Sequence, residues 1–325
     1  MKTERCKNFW ALGAVLWMFG RDRAPIEDWI KSKFAKKPEV LAGNIAALNA
    51  GHAFAETAEL SAEIPQFAIG EAPMAAGDYR SITGAEALAL GLAAASELAD
   101  RPMMFCSYPI TPASPLLHHL SKMGELGVST FQAEDEIAAC CAAIGASFGG
   151  AIGVTSSSGP GIALKTEAIG LAIATELPLV IVNAQRGGPS TGLPTKTEQS
   201  DLYQAVYGRN ADAPLPVIAA SGPGDCFDAA IEATRIALRH MTPVFLLTDG
   251  YIANAAGPWA IPDIDAYAPI KTNAAPAAPE DAAELKKAIW ARNEETLGRP
   301  WIAPGTEGFA HRIGGLEKDL ATGDI

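Results

Sequence analysis

The sequence predicts an α/β protein built on a doubly wound, mostly parallel sheet. Three observations carry that expectation. Between Ser81 and Thr248, short apolar runs of strand length alternate with longer helical patterns. Runs such as Leu179 to Asn183 and Val244 to Thr248 are apolar at successive positions, as in strands covered on both faces. The joints between runs carry Gly, Pro, Ser and Asp, which end strands and cap helices.

Taken in order, the chain opens with Lys2, Arg5 and Lys7 before the apolar run Phe9 to Phe19. The run contains Trp10 and Trp17, leaves through Gly20-Arg21-Asp22-Arg23 with no small-residue cleavage site, and is too short for a bilayer. It reads as a packed helix and not as a signal peptide. Residues 26 to 57 read as helical with a break at Pro38, and the basic stripe Lys31, Lys33, Lys36 and Lys37 reads as a solvated face. Residues 1–60 form a helical piece, and 61–80 a Pro- and Gly-containing linker.

The α/β domain is expected over 81–256. Thr83 caps an alanine-rich helix to about Ala99. Strands are expected at Met103–Ser107, Val128–Gln132, Ile152–Ser156, Leu179–Asn183, Val217–Ala220 and Val244–Thr248. Helices are expected at Ser114–Met123 and Glu134–Phe148. Residues 257–325 read as an irregular, Pro-rich C-terminal arm with one helix from Asp281 to Leu297, laid on a partner.

The 325 residues, 49% of them hydrophobic and 19% charged, exclude a disordered class. A net charge of -12 argues against nucleic acid or an anionic membrane as partner. Five cysteines lie scattered, with no Cys-x-x-Cys pair to suggest a metal or cluster on this chain. They read as idle cytosolic thiols, and the location as cytoplasmic.

Two local motifs fail on context. Gly145 to Gly149 matches Gly-x-Ser-x-Gly, but that elbow needs a strand before the serine and here a helix precedes it. Asp249-Gly250 with Asn254 is a weak echo of a metal-diphosphate signature and reads as a strand end.

Parallel sheets place ligands at the carboxyl ends of their strands, so four loops stand out. Ser107 to Ser114 is stiffened by two prolines and offers the Thr111 hydroxyl and amide to a carboxylate. Glu134, Asp135 and Glu136 crowd one helix start, where dipole complementarity alone also explains acids. Ser158, Gly159 and Gly161 open a helix after a strand, either as a tight turn or as a phosphate-contacting one. Arg186 roots a long Gly-rich loop running to Gln199 and could grip a carboxylate through paired hydrogen bonds.

The blocks "SYPITPAS", "FQAEDEIAA", "SSSGPGIALKTEAIGLA", "QRGGPSTGLPTKTEQSDL" and "GDCFDAA" occur here in this order. In them the chain resembles the α subunits of the 2-oxoacid:ferredoxin oxidoreductases, most closely the 2-oxoglutarate members. The resemblance implies that the α/β region is the pyrimidine-binding domain of a thiamine diphosphate enzyme. It implies oxidative decarboxylation of a 2-oxoacid to an acyl-CoA, with electrons passed to ferredoxin. By position Glu134 is then the carboxyl facing the cofactor pyrimidine, Thr111 and Arg186 hold the substrate carboxylate, and Ser158, Gly159 and Gly161 contact the cofactor. A β subunit is the implied partner, bearing Mg2+ and a 4Fe-4S cluster, so this chain alone should be inactive. Residues 1–60 correspond to the tail of a gamma-type domain that helps bind coenzyme A in relatives, and a further domain is expected after the point where this sequence stops. Pyruvate or a branched-chain 2-oxoacid is the alternative substrate, and a non-catalytic assembly subunit the alternative role. Arg209, Lys165 or Lys196 could meet a distal substrate carboxylate, as could the β subunit.

Overall fold

The computed structural model describes residues 6–57, 67–314, 316, 318 and 319. They fall into two compact units, Met1–Ala76 and Gly77–Ile325. Among the described residues no helix is long and apolar enough to cross a membrane.

The first unit is helical: α1 (Lys7–Met18), α2 (Ala24–Lys33) and α3 (Pro38–Thr57). The helical run is interrupted before Pro38, as expected, and Pro38 begins α3, as its fixed φ and missing N–H favour. Helices α1 and α3 pack with their backbones in close approach. A Cβ on Gly51 would lie 1.8 Å from the Trp10 carbonyl oxygen, so only glycine permits this contact.

The second unit begins with β1 (Tyr79–Thr83) and α4 (Gly84–Leu98), which Thr83 caps by accepting from the Glu86 amide. There follow β2 (Met103–Ser107), α5 (Ser114–Leu120), β3 (Val128–Gln132), α6 (Glu136–Phe148), β4 (Ile152–Ser157), α7 (Gly159–Leu164) and α8 (Thr166–Ala174). Then come β5 (Leu179–Gln185), α9 (Leu202–Tyr207), β6 (Val217–Ala219), α10 (Cys226–His240), β7 (Pro243–Asp249) and α11 (Gly250–Asn254). β8 (Ala256–Ala260) pairs antiparallel with β1, and α12 (Ala282–Trp290) lies in the arm.

The main sheet has the order β3-β2-β4-β5-β7-β6 with every pairing parallel. Successive residues face opposite sides. Val180 and Val182 join the core under α4, α5 and α10, while Leu179 and Ile181 join the core under α6 and α8. The chain leaves β2 toward β3 and leaves β4 the other way, toward β5. The crevice between the carboxyl ends of β2 and β4 is therefore the topological switch point, where such sheets take ligands.

The C-terminal arm docks on this same unit. Arg299, 1% exposed, donates to the carbonyl of Thr175 at 3.2 Å, and Trp301 Nε1 donates to Ser147 O at 2.9 Å. Arg292 forms a two-pronged ion pair with Glu176. Ser147 and Thr175 lie at the carboxyl ends of α6 and α8, so these anchors sit at the edge of the sheet away from the strand-end loops. Burial pushes the Arg299 guanidinium down to about 10, with the face of Trp290 5.0 Å away.

Candidate active site at the carboxyl ends of the strands

Two hydroxyl pairs bridge the crevice. Ser107 Oγ lies 2.9 Å from Ser156 Oγ, and the Tyr108 hydroxyl lies 2.9 Å from Ser157 Oγ. Burial raises the Tyr108 hydroxyl well above its ordinary range; Ser157 works against this, and Glu136 adds to it. Gly161 lies close beneath this pair, and a Cβ there would fall 2.1 Å from Ser157 Oγ and 2.4 Å from the Tyr108 hydroxyl. Gly161 is thus required by the packing of α7 against the crevice, whatever binds there. At Gly159 a Cβ would meet the Asp201 carboxylate at 2.8 Å.

Ser158 caps α7 in extended backbone geometry, and its hydroxyl is buried without a hydrogen-bond partner among the described residues. Asn183, on the neighbouring strand, donates through Nδ2 to Asp201 at 3.0 Å and leaves Oδ1 buried and unpartnered. Buried polar atoms rarely stay unmatched, so these are positions where a bound group is expected to complete the bonding.

Arg186 joins two loops. Its Nη1 donates to the Thr111 carbonyl at 2.7 Å and its Nη2 to the Thr191 carbonyl at 2.6 Å, while Nε is buried and unpartnered. Arg186 thereby reaches a position 75 residues before it in sequence. The Ser114 hydroxyl closes the Thr111 loop, accepting from the Ile110 amide at 2.9 Å. Thr111 itself is exposed.

The three neighbouring acids separate in role. Asp135 is the N-cap of α6 and accepts from the Ala138 amide at 2.8 Å. Glu136 lies in the first turn beside the Tyr108 hydroxyl. Glu134 precedes the cap, so the helix begins two residues later than expected; its carboxylate is exposed and has no hydrogen bond or ion pair among the described residues. It stands at the end of the edge strand β3, and no described contact ties it to Thr111 or Arg186.

The loop after Arg186 is folded on itself. The Gly187 amide donates to Lys196 O at 2.9 Å, the Leu193 amide to Gly187 O at 2.7 Å, and the Gly188 amide to Glu198 at 2.8 Å.

Of the three cations considered for a distal carboxylate, two are committed elsewhere. Arg209 donates to the carbonyls of Ala205, Val206 and Ala213 and so closes α9. Lys165 is 0% exposed, with Nζ on Thr155 Oγ1 at 3.2 Å. Lys196 is exposed. Burial lowers the Lys165 ammonium, with Cys140 and Glu136 pulling weakly the other way. In the unfolded chain the amine binds its proton up to about 10.4. Between the lowered folded value and that point the unfolded state holds more protons, so stability rises with pH there. Lys165→Met should raise stability by roughly 1–2 kcal/mol near neutral pH and remove this rise. Denaturant midpoints for both proteins at about pH 7 and 9.5 check it, and parallel pH profiles would contradict it.

The three buried thiols fit an inert role. Burial pushes Cys106 and Cys140 up to about 11 and Cys226 up to about 12. Asp249 is a strand end as expected, and its Oδ1 accepts from the Tyr251 and Ile252 amides at 2.6 and 2.9 Å. Among the described residues no cluster of three or more His, Cys, Asp or Glu side chains could hold a metal. Sequence reasoning left Tyr108, Asn183 and Gln199 without roles, though Tyr108 and Gln199 stand within the blocks it singled out.

Comparison with known proteins places this geometry. The family described as pyruvate flavodoxin/ferredoxin oxidoreductase, thiamine diphosphate-binding, matches residues 96–322. A second, described as pyruvate ferredoxin/flavodoxin oxidoreductase, matches residues 1–54. A 2-oxoglutarate oxidoreductase subunit KorA of Mycobacterium tuberculosis is 53% identical over 99% of this chain and 48% of its own length. A 2-oxoglutarate synthase subunit KorA of Archaeoglobus fulgidus is 42% identical over 50% of this chain and 48% of its own. Among solved structures, a 2-oxoglutarate:ferredoxin oxidoreductase from Magnetococcus marinus, with 2-oxoglutarate, coenzyme A and succinyl-CoA bound, superposes with a TM-score of 0.82. It is 33% identical and covers 99% of this chain and 54% of that one. The chain spans about half the length of these relatives.

Proposed function

Because the chain belongs to the thiamine diphosphate-binding family of pyruvate flavodoxin/ferredoxin oxidoreductases, we propose that it forms the pyrimidine-facing half of a 2-oxoacid:ferredoxin oxidoreductase site. The substrate of that site is 2-oxoglutarate. The reaction is its oxidative decarboxylation to succinyl-CoA with reduction of ferredoxin, or the reverse carboxylation. A β subunit contributes the other half, with Mg2+ and a 4Fe-4S cluster, and the assembly is cytoplasmic.

The observation that carries the reading is the Arg186 guanidinium, which draws the Thr111 loop and the Thr191 loop together while keeping Nε–H unspent. A buried guanidinium with a free donor beside an exposed threonine suits a carboxylate, which takes paired, charge-assisted bonds. Support for the substrate comes from the relatives with that activity in their names.

Thiamine diphosphate fits the residues present: a free Glu134 carboxylate, and the unpartnered Ser158 hydroxyl and Asn183 carbonyl at the switch point. When bound, the cofactor supplies a nucleophilic carbon and accepts the electron pair that decarboxylation releases. Glu134 shares a proton with a pyrimidine nitrogen, the role for which an uncommitted carboxylate is needed. Arg186 and Thr111 fix the substrate's 1-carboxylate, which sets the orientation of the bond that breaks. Tyr108, buried at the end of β2, holds the β2–β4 crevice through Ser157.

Calorimetry of thiamine diphosphate with Mg2+ tests the split site. Tight binding is expected when the β subunit is present and not to this chain alone. Stoichiometric, Mg2+-dependent binding to the chain alone would overturn it.

A further inference from the structure

Both feet of the Arg186 loop stand on one strand end. At the near foot, Gln185 Nε2 donates to the Thr248 carbonyl at 3.2 Å, and Gln185 Oε1 accepts from the Asp201 amide at 3.0 Å. At the far foot, Gln199 Nε2 donates to Asp249 Oδ2 at 2.5 Å. Asp249 is 1% exposed, and its other oxygen is held by the Tyr251 and Ile252 amides, so it cannot follow the loop if the loop moves. The corner after it is also where the two substrate loops meet. A Cβ on Gly250 would lie 3.5 Å from Pro112 and 3.8 Å from Thr197 Oγ1.

We propose that Gln199 and Asp249 form a latch that sets the closed position of the 187–198 loop, and through Arg186 the position of the carboxylate-holding groups. The proposal rests on the carboxylate-binding role given above to Arg186. Gln199 and Asp249 are positioning residues in it and touch no substrate. The physical reason is asymmetric anchoring. Asp249 is a rigid, buried carboxylate, and Gln199 is an exposed side chain at the end of a Gly-rich loop. A charge-assisted bond between them tethers the mobile member to the fixed one.

The polarity of the pair gives a clean test. Gln199→Ala removes the bond, and Gln199→Glu sets two carboxylates against each other. Gln199→Glu combined with Asp249→Asn restores the bond with donor and acceptor exchanged, since asparagine keeps an oxygen for the two α11 amides.

Two readouts are needed. Hydrogen exchange on the purified chain is expected to speed up over residues 187–198 by roughly 10- to 100-fold in both single variants and to return in the double variant. In the enzyme assembled with its β subunit, the single variants should raise the KM for 2-oxoglutarate about tenfold or more, with thiamine diphosphate affinity unchanged, and the double variant should recover. Unaltered exchange in Gln199→Ala overturns the latch. Faster exchange with an unaltered KM overturns its effect on substrate. If the wild-type assembly turns over no 2-oxoacid, the functional reading fails instead, and the exchange measurement still decides the latch.

Discussion

Glu134→Gln is expected to lower turnover of the assembled enzyme by about 100-fold or more, the usual range for loss of a positioned acid–base group. The structure sharpens this expectation by separating three adjacent acids. Asp135 spends its carboxylate on the Ala138 amide as a helix cap. Glu136 sits against the Tyr108 hydroxyl in the first turn of α6. Glu134 alone of the three is left with no described partner, at a strand end of the predicted ligand-binding edge. Glutamine keeps the shape and loses the exchangeable proton, so subunit assembly and the melting temperature should stay as in the wild type. Asp135→Asn is the control, because asparagine caps helices as well as aspartate does; it should keep most activity. Near-normal steady-state turnover by assembled Glu134→Gln would remove Glu134 from the chemistry.

The second large effect belongs to Arg186→Ala. Loss of a charge-assisted pair to a substrate carboxylate is worth ~1.5–3 kcal/mol, or roughly 10- to 100-fold in the KM for the 2-oxoacid. The contacts to the Thr111 and Thr191 carbonyls add a second consequence, because the variant also unpins two loops. Turnover should therefore fall together with substrate affinity, while thiamine diphosphate affinity holds. Arg186→Lys keeps the charge but cannot serve two carbonyls and a carboxylate in one plane, and it should restore only part of the loss. Substrate kinetics and cofactor titration on the same preparations separate the cases. Equal weakening of cofactor and substrate would assign Arg186 to the fold or to the cofactor.

The central strands are legible in the sequence because their limits are marked locally. Met103–Ser107 follows Pro102, and Val128–Gln132 follows Gly127, whose φ of 77° suits glycine; both strands fall where the apolar runs do. Leu179–Gln185 and Pro243–Asp249 run past their expected ends because Gln185 and Asp249 are polar yet paired, one to a neighbouring carbonyl and the other to helix amides. The β1–β8 ribbon is not legible. Ala256–Ala260 contains Gly and Pro, and the strand it pairs with lies far away in sequence. The docking of the arm on its own unit is illegible for a related reason. Isolated residues such as Arg299 and Trp301 hold it to backbone carbonyls, and no periodicity announces that kind of contact.

Within the candidate site, the residue types are legible and the bonding is not. Thr111 and Arg186 stand out as chemistry-bearing residues in strand-end loops, but only the fold brings the guanidinium to the Thr111 carbonyl. Gly161 looks like half of a phosphate-cradling turn. The structure gives it a packing reason, since Ser157 and Tyr108 leave no space for a side chain. Lys165 looks available for a substrate until the fold seals it against Thr155.

The most direct measurement is 2-oxoglutarate-dependent, coenzyme A-dependent reduction of ferredoxin by this chain assembled with its β subunit, compared with pyruvate at equal concentration. The expected result is reduction with 2-oxoglutarate that needs thiamine diphosphate and collapses in Glu134→Gln. Reduction that survives in Glu134→Gln, or that proceeds with pyruvate and not with 2-oxoglutarate, would contradict it.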